Sequence, residues 1–246
     1  MTAPELAFAM SGADWALLGW LALLAGCLAL DETALAQTWL SQPLPAAFLA
    51  GLVCGEPATG LAVGLPLQMA LTMNLPVGQT VTGDASGAAV AGVGGAVLAG
   101  RTPAPLGGEG DPVLTGWLLL GAAAVSLAGH PLVQAERRLH MVWMLEGRHT
   151  LRDGNLGRVE AIHGRCLLTA FVRGGLFAAL ALLAMAAVWL PLYAHLPHAV
   201  GFGFAWLPWL AAALGLGAVF ERYGARRHWG WLGAGLGAGW LLGALT

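Results

Sequence analysis

Three polar side chains interrupt one of the most apolar parts of the sequence. Gln68, Asn74 and Asp84 all fall within LPLQMALTMNLPVGQTVTGDAS, residues 65–86. Amide groups donate and accept hydrogen bonds, and a carboxylate accepts several, so the Asp84 carboxylate can bind the hydroxyl groups of a polyol. An ionised group at bilayer depth costs about 2.5–3.5 kcal/mol, so each such residue requires a partner or a function.

Asp84 has two interpretations that can hold together. Gly83 and the neighbouring threonines supply flexible backbone and hydroxyl groups, so the carboxylate could accept hydrogen bonds from a ligand in a polar cavity. Asp84 also stands directly before an apolar segment that starts near Ala85, where an N-cap carboxylate would bind the free N–H groups of the helix.

Gln68 within this stretch, and two acids that precede it, each have a local alternative to ligand binding. Gln68 could contact the ligand, or it could join two helices by a hydrogen bond across their interface. Asp31 and Glu32 end the first apolar run, in LALDETALAQ. They either cap or face solvent at an interface, or they face the same polar cavity.

A second polar block, DGNLGRVEAIHGRCLLTAFVRGG, covers residues 153–175. Arg173 has apolar neighbours on both sides, so we expect an internal acidic partner such as Asp84 or Asp31, with snorkelling toward the headgroups as the alternative. His163 precedes Arg173 by ten residues, about 80° away around a helix. We expect His163 to be a polar residue at the interface, and we group it with Arg173 as a structural, ion-pairing candidate.

The composition identifies the kind of element that must position these residues. Of 246 residues, 58% are hydrophobic and only 10% are charged, which is typical of an all-α integral membrane protein. The length could hold about six to eight crossings, so residues 1–246 are expected to form a single membrane domain. The apolar stretches cover about 15–30, 44–75, 86–100, 113–133, 166–194, 201–220 and 229–245.

Two of the apolar stretches are irregular. The 44–75 stretch is interrupted by GEPATG, and the 86–100 stretch is short and rich in small residues. We expect Pro66, Pro76 and Gly78 to break helices here. Irregular backbone survives at membrane depth only inside protein or beside a cavity, so residues of about 31–100 are predicted to form broken, re-entrant hairpins that line the substrate site.

The arginines predict the orientation. Seven of the eleven lie between Arg137 and Arg173, and three more lie in ERYGARRH, residues 221–228. By the positive-inside rule both clusters are cytoplasmic, and the loop TPAPLGGEGDP is on the opposite side. The basic segment of about 134–165 is predicted to form a cytoplasmic helix or hairpin along the membrane surface.

The sequence gives no support for catalysis, metal binding or nucleic-acid binding. It has no nucleophile elbow, zinc-protease motif or phosphate-binding loop, and its three cysteines are isolated, so we predict no catalytic residue, no metal and no cofactor. No basic patch has the density that nucleic-acid binding requires. Tryptophans near segment ends, such as Trp117 and Trp189, are expected to be interfacial anchors.

The ordered motifs resemble the IIC membrane subunit of the mannose/fructose/sorbose family of phosphotransferase-system sugar transporters. The resemblance runs through LDETALAQTWLSQPLPAAFLAGLVCGEPATGLAVGLPLQMALTMNLPVGQTVTGDAS and again through the G-N-L block at 154–156. Its matching positions are Asp31, Pro43, Gly51, Gly55, Glu56, Gly60, Gly64, Gln68, Met69, Val77, Gly78 and Asp84. The sequence departs from the pattern at Thr82-Gly83, where a proline-rich approach is expected, and at Gln68, where some mannose-type members carry an acid.

The resemblance implies an elevator-type transporter subunit in the cytoplasmic (inner) membrane of a bacterium. Such a subunit binds a hexose or amino sugar and carries it inward. It pairs with a IID membrane subunit, and these pairs associate as a trimer. Soluble IIA and IIB phosphocarriers supply the phosphate, so the chain itself is not an enzyme. Gln68 and Asp84 would be sugar ligands, with Asp31 and Asn74 as weaker candidates. Two rival functions are a non-transporting scaffold or regulatory relative and a small-solute permease that works alone.

Overall fold

The computed structural model describes residues 10–33, 35, 37–71, 83–152, 154–224, 229–231, 233–235 and 237–238. Regular structure in these ranges is helical. The helices are α1 Gly12–Thr33, α2 Pro43–Cys54, α3 Pro57–Ala70, α4 Ala85–Leu98, α5 Pro112–Arg152, α6 Leu156–Ala184, a π-helical segment Met185–Trp189, α7 Leu190–Tyr193 and α8 His198–Tyr223.

Within the described residues, four candidate spans are long and apolar enough to cross a membrane, Gly12–Glu32, Pro112–His149, Leu156–Tyr193 and Ala199–Arg222. This confirms the predicted all-α, multispanning architecture. The capacity of six to eight crossings was an overestimate for the described residues, because two of the apolar stretches form three helices that are shorter than the roughly 20 residues of a crossing.

Those shorter helices are α2, α3 and α4, with 12, 14 and 14 residues. At 1.5 Å per residue they are about 18 to 21 Å long, less than the roughly 30 Å of a hydrocarbon core. The break predicted at GEPATG is confirmed, since α2 ends at Cys54 and Gly55 takes the left-handed conformation with φ of 74°. Gly55 is therefore the C-cap of α2.

Pro66 does not break a helix, so that prediction was wrong. It lies inside α3, which continues to Ala70. Pro66 is buried among neighbouring helices, and a proline is tolerated in a membrane helix when surrounding protein compensates for the lost backbone bond. Pro76 and Gly78 lie outside the described residues.

Helix α4 is the central element of the fold. Every residue from Ser86 to Ala96 is buried, and the helix packs against α1, α2, α3, α5 and α6. Its sequence ASGAAVAGVGGAVL is small and apolar on all sides, as expected of a helix surrounded by others. This packing holds the N-terminus of α4, and with it Asp84, inside the protein.

Helices α5 and α6 form a long antiparallel hairpin. With 41 residues, α5 is about 60 Å long, twice the thickness of the hydrocarbon core. The far end of the hairpin comprises the basic segment 134–165, where Arg158 pairs with Glu146 at 2.7 Å across the turn. The segment is therefore a helical hairpin, and its cytoplasmic location stays a prediction.

At the opposite end of α5, Trp117 and Trp189 form a reciprocal pair. Each indole Nε1–H donates to the backbone carbonyl of the other residue at 2.9 Å, and the rings stack with centroids 4.3 Å apart. Phe204 of α8 contacts the Trp117 ring edge-on. These two tryptophans thus join helices, in contrast to the interfacial anchors that the sequence predicts.

Candidate functional site

The candidate site is centred on Asp84, which caps the buried helix α4. Its Oδ1 accepts hydrogen bonds from the Gly87 backbone N–H at 2.7 Å and from the Ser86 hydroxyl at 3.4 Å. The predicted N-cap is therefore confirmed. Only 1% of Asp84 is exposed, so its negative charge lies within the protein and requires compensation.

Small residues of α5 allow Asp84 to approach that helix closely. The Asp84 N–H donates to the Ser126 carbonyl at 3.1 Å. A Cβ atom at Gly129 would lie 2.5 Å from the Asp84 Cβ, and one at Gly83 would lie 2.6 Å from the Ser126 hydroxyl. Gly83 also has a φ of 139°, a conformation that side chains rarely adopt. At the Thr82-Gly83 departure from the family pattern, the lack of space beside Ser126 and the backbone conformation therefore explain why position 83 is a glycine.

Arg173 of α6 supplies the compensating charge. Its Nη1 donates to Asp84 Oδ2, and its Nε donates to Glu136 Oε2 at 2.6 Å. The side chains of Arg173, Glu136 and Asp84 are only 12%, 4% and 1% exposed. Arg173 therefore turns toward two internal acids, of which Asp84 was one of the two expected partners, rather than toward the membrane surface.

Sequence reasoning missed Glu136. It lies in ERRLH, which the sequence places in the basic cytoplasmic segment, where an acid is expected to be solvated. The detectable signal was its spacing, since Ser126, Gly129 and Glu136 share the α5 face that meets Asp84 and Arg173. Glu32, at the end of α1, also interacts electrostatically with Asp84, Arg173 and Glu136.

Asp31 is buried, and its hydrogen bonds are local. Its Oδ1 accepts from the Thr38 backbone N–H and hydroxyl, each at 2.7 Å, and its Oδ2 accepts from the Ser41 N–H at 3.0 Å. The carboxylate thus organises the connection between α1 and α2. Asp31 caps neither helix, since α2 begins at Pro43 and its N-cap is Gln42, and a role of Asp31 in ligand binding stays a prediction.

Gln68 joins the two helices of the short hairpin. Its Oε1 accepts from the Leu44 backbone N–H at 3.2 Å, and its Nε2 donates to the Gln42 side chain at 3.4 Å. Leu44 lies in the first turn of α2, whose N–H groups have no partner within the helix. Gln68 therefore provides the interhelical hydrogen bond that was one of its two interpretations.

The two remaining candidates lie apart from the Asp84 cluster or outside the described chain. His163 is exposed on α6, while Arg173 pairs with Asp84 and Glu136. Asn74 lies outside the described residues. Within the described ranges, no three His, Cys, Asp or Glu residues are grouped so that they could hold a metal ion.

The similarity of this chain to known proteins extends well beyond the cluster around Asp84. Residues 15–241 fit the family model described as the PTS system sorbose-specific IIC component. The chain belongs to this family. The family is one of transporters. No curated protein sequence is significantly similar to this chain.

Two solved structures show that the fold of this IIC chain is also found elsewhere. A chain described only as the structure of a membrane protein aligns with a TM-score of 0.71 and 21% identity, covering 96% of this chain and 94% of that one. A second chain, from the mannose transporter ManYZ in complex with microcin E492, aligns with a TM-score of 0.52 and 21% identity, covering 96% and 88%. At this identity the likeness concerns the fold.

Proposed function

We propose that this IIC chain binds a hexose or amino sugar and carries it across the cytoplasmic membrane of a bacterium. The observation that carries the proposal is the buried carboxylate of Asp84, held at the start of α4 by Arg173. A buried acid within a transporter is a functional candidate by default, because its placement costs several kcal/mol without a partner. A carboxylate also accepts hydrogen bonds from sugar hydroxyl groups.

Asp84 can reach a sugar only after a rearrangement, since it is almost fully enclosed in this conformation. The contacts that enclose it are the ion pair with Arg173 and the close approach of Gly83 to Ser126. We propose that an elevator-type movement separates the start of α4 from these contacts. In this proposal Gln68 contributes further hydrogen bonds, with Asp31 and Asn74 in supporting roles.

We also propose that the chain works with partners. The structurally similar mannose transporter is named ManYZ, with one letter for each of two components. This favours a second membrane subunit, IID, beside the IIC chain. Soluble IIA and IIB phosphocarriers would phosphorylate the sugar as it leaves, and the pairs would associate as trimers. Phosphoryl transfer would take place on those partners.

The test compares two acids that both cap a helix. Asp84→Asn keeps the helix cap and the shape of the side chain but removes the charge. Asp111→Asn makes the same change at the start of α5, where Asp111 accepts hydrogen bonds from the Val113 and Leu114 N–H groups. We expect Asp84→Asn to weaken sugar binding to the purified IIC–IID complex by at least about tenfold. Asp111→Asn should leave the dissociation constant within about twofold.

The same preparation distinguishes the rival functions. A complex that takes up no sugar in vesicles with IIB present, and in which Asp84→Asn changes nothing, would support the scaffold or regulatory relative. A purified chain that transports without IID would support a permease working alone. Asn74→Ala should have a smaller effect on sugar binding than Asp84→Asn, and equal effects would count against the role given to Asp84.

A further inference from the structure

A stripe of polar residues runs along α5 from Asp84 toward the basic end of the hairpin. Ser126, His130, Gln134 and Arg137 are spaced by four, four and three residues, which places them within an arc of about 80° on one face. The stripe begins at Ser126, whose carbonyl accepts the hydrogen bond from the Asp84 N–H. The polar face of α5 and the capping carboxylate of α4 are therefore adjacent.

The middle of the stripe lies near one edge of the hydrocarbon core. His130 and Gln134 are 18 and 22 residues from Pro112, about 27 and 33 Å along the helix, against about 30 Å for the core. His130 and Gln134 are half-buried, and their side chains are hydrogen-bonded to each other, with 2.8 Å between the Gln134 Nε2 and the His130 Nε2. Such residues in a membrane segment usually face a bundle interior or a water-filled cavity.

The far end of the stripe holds donors that the described chain leaves unused. Nε of Arg137 is buried and has no hydrogen-bond partner among the described residues, and the same is true of Nε2 of His140 on the next turn. Buried polar atoms are nearly always hydrogen-bonded, so an exception requires an explanation. A ligand with acceptor groups would satisfy them.

The neighbouring charges indicate what kind of ligand fits. Arg173 is paired with both Asp84 and Glu136, and Arg137 follows Glu136 directly on α5. Two guanidinium groups thus accompany two carboxylates, so no positive charge is in excess and an anionic ligand would gain no net attraction. A neutral ligand with several hydroxyl groups can use the same donors and acceptors without bringing a charge.

We propose that His130, Gln134 and Arg137 form a second wall of the sugar site and bind hydroxyl groups of the sugar whose other side meets Asp84. The proposal rests on the proposed function. It adds ligand-contacting residues from α5, a spanning helix outside the broken hairpins that the sequence identifies. After the proposed movement has separated Asp84 from Ser126, the sugar would lie between the start of α4 and the polar stripe.

The experiment measures binding of a hexose and its single deoxy analogues to the purified IIC–IID complex by calorimetry. Gln134→Leu removes the amide at similar volume and should weaken binding of the full sugar about tenfold. For the analogue that lacks the contacted hydroxyl group, the same substitution should have little further effect. Arg138→Leu, exposed and outside the stripe, is the control and should stay within about twofold.

Each outcome supports or overturns the assignment. An unchanged dissociation constant for Gln134→Leu would show that Gln134 does not contact the sugar. An equal loss of affinity for the sugar and for every deoxy analogue would show the same. Gln134→Asn, which keeps the amide but shortens the side chain, should give an intermediate loss and serves if the leucine variant does not fold. A wild-type complex that binds no sugar would instead overturn the proposed function itself.

Discussion

Arg173 holds two carboxylates from two different parts of the chain, so its removal should differ from the loss of a surface charge. Asp84 precedes α4 and Glu136 lies on α5, and both are nearly inaccessible to solvent. Without the guanidinium group, two buried negative charges would face each other. The loss of one partner of a buried ion pair typically destabilises a protein by about 3–5 kcal/mol.

We therefore predict that Arg173→Met lowers the thermal unfolding temperature of the detergent-solubilised protein sharply. The matched control is Arg158→Met, because the Arg158 and Glu146 side chains are 61% and 41% exposed and such pairs contribute at most about 1 kcal/mol. Adding Asp84→Asn to Arg173→Met should recover part of the loss. Similar unfolding temperatures for the two single variants would contradict the role given to the buried network.

For single residues, the sequence predicts those features of the Asp84 site that depend on neighbouring residues in the chain. The cap at Asp84 follows from its position before an apolar helix, and Arg173 follows as a charge among apolar neighbours that requires an internal acid. Glu136 could not be found in this way, because it is 37 residues from Arg173 and the surrounding arginines suggest a solvated segment. Only the continuation of α5 beyond the apolar stretch brings it to the site.

Close backbone approach holds the short α2–α3 hairpin together. A Cβ atom at Gly60 would lie 2.5 Å from the Ala47 carbonyl oxygen, and one at Gly64 would lie 2.6 Å from the Ala47 Cβ. Backbone cannot move aside as a flexible side chain can, so the hairpin depends on the absence of a side chain at these points.

We predict that Gly60→Ala destabilises the protein by about 1–3 kcal/mol, because the added methyl group forces α2 and α3 apart. Gly217→Ala is the control, since Gly217 is exposed on α8 and has open space at its Cβ position. Alanine is the better helix former, so this control should be neutral or stabilising by up to about 1 kcal/mol. Equal unfolding temperatures for both variants would exclude the tight contact.

The elements of the hairpin were predictable to different degrees. The turn at GEPATG was found because glycine and proline mark it, and the half-length helices follow from that interruption. Pro66 shows the limit of the same reasoning, since α3 continues through it with support from neighbouring helices. Local sequence does not reveal which prolines have such support.

The orientation of the whole molecule is a prediction that rests on α5, whose length is about twice the thickness of the hydrocarbon core. Its start adjoins the acidic loop that contains Glu109, and its end carries the arginines of the hairpin. The positive-inside rule then places the two ends on opposite sides of the membrane.

Cysteine labelling tests this orientation. The background is a variant with Cys27, Cys54 and Cys166 replaced by serine. In intact cells whose cytoplasmic membrane is reached by the reagent from outside, we predict that a membrane-impermeant maleimide labels Glu109→Cys. His149→Cys, exposed near the end of α5, should react only after permeabilisation. Labelling of His149→Cys in intact cells would reverse the assigned orientation.

The tryptophan pair gives the molecule a built-in optical reporter. Two indoles stacked 4.3 Å apart and locked by reciprocal hydrogen bonds couple their excited states, which should produce a split band in near-ultraviolet circular dichroism. Trp189 is the last residue of the π-helical segment that continues α6, whereas Trp117 lies on α5, so the band requires these two elements to remain in contact. Its amplitude during sugar binding would show whether α5 and the end of α6 move as one body.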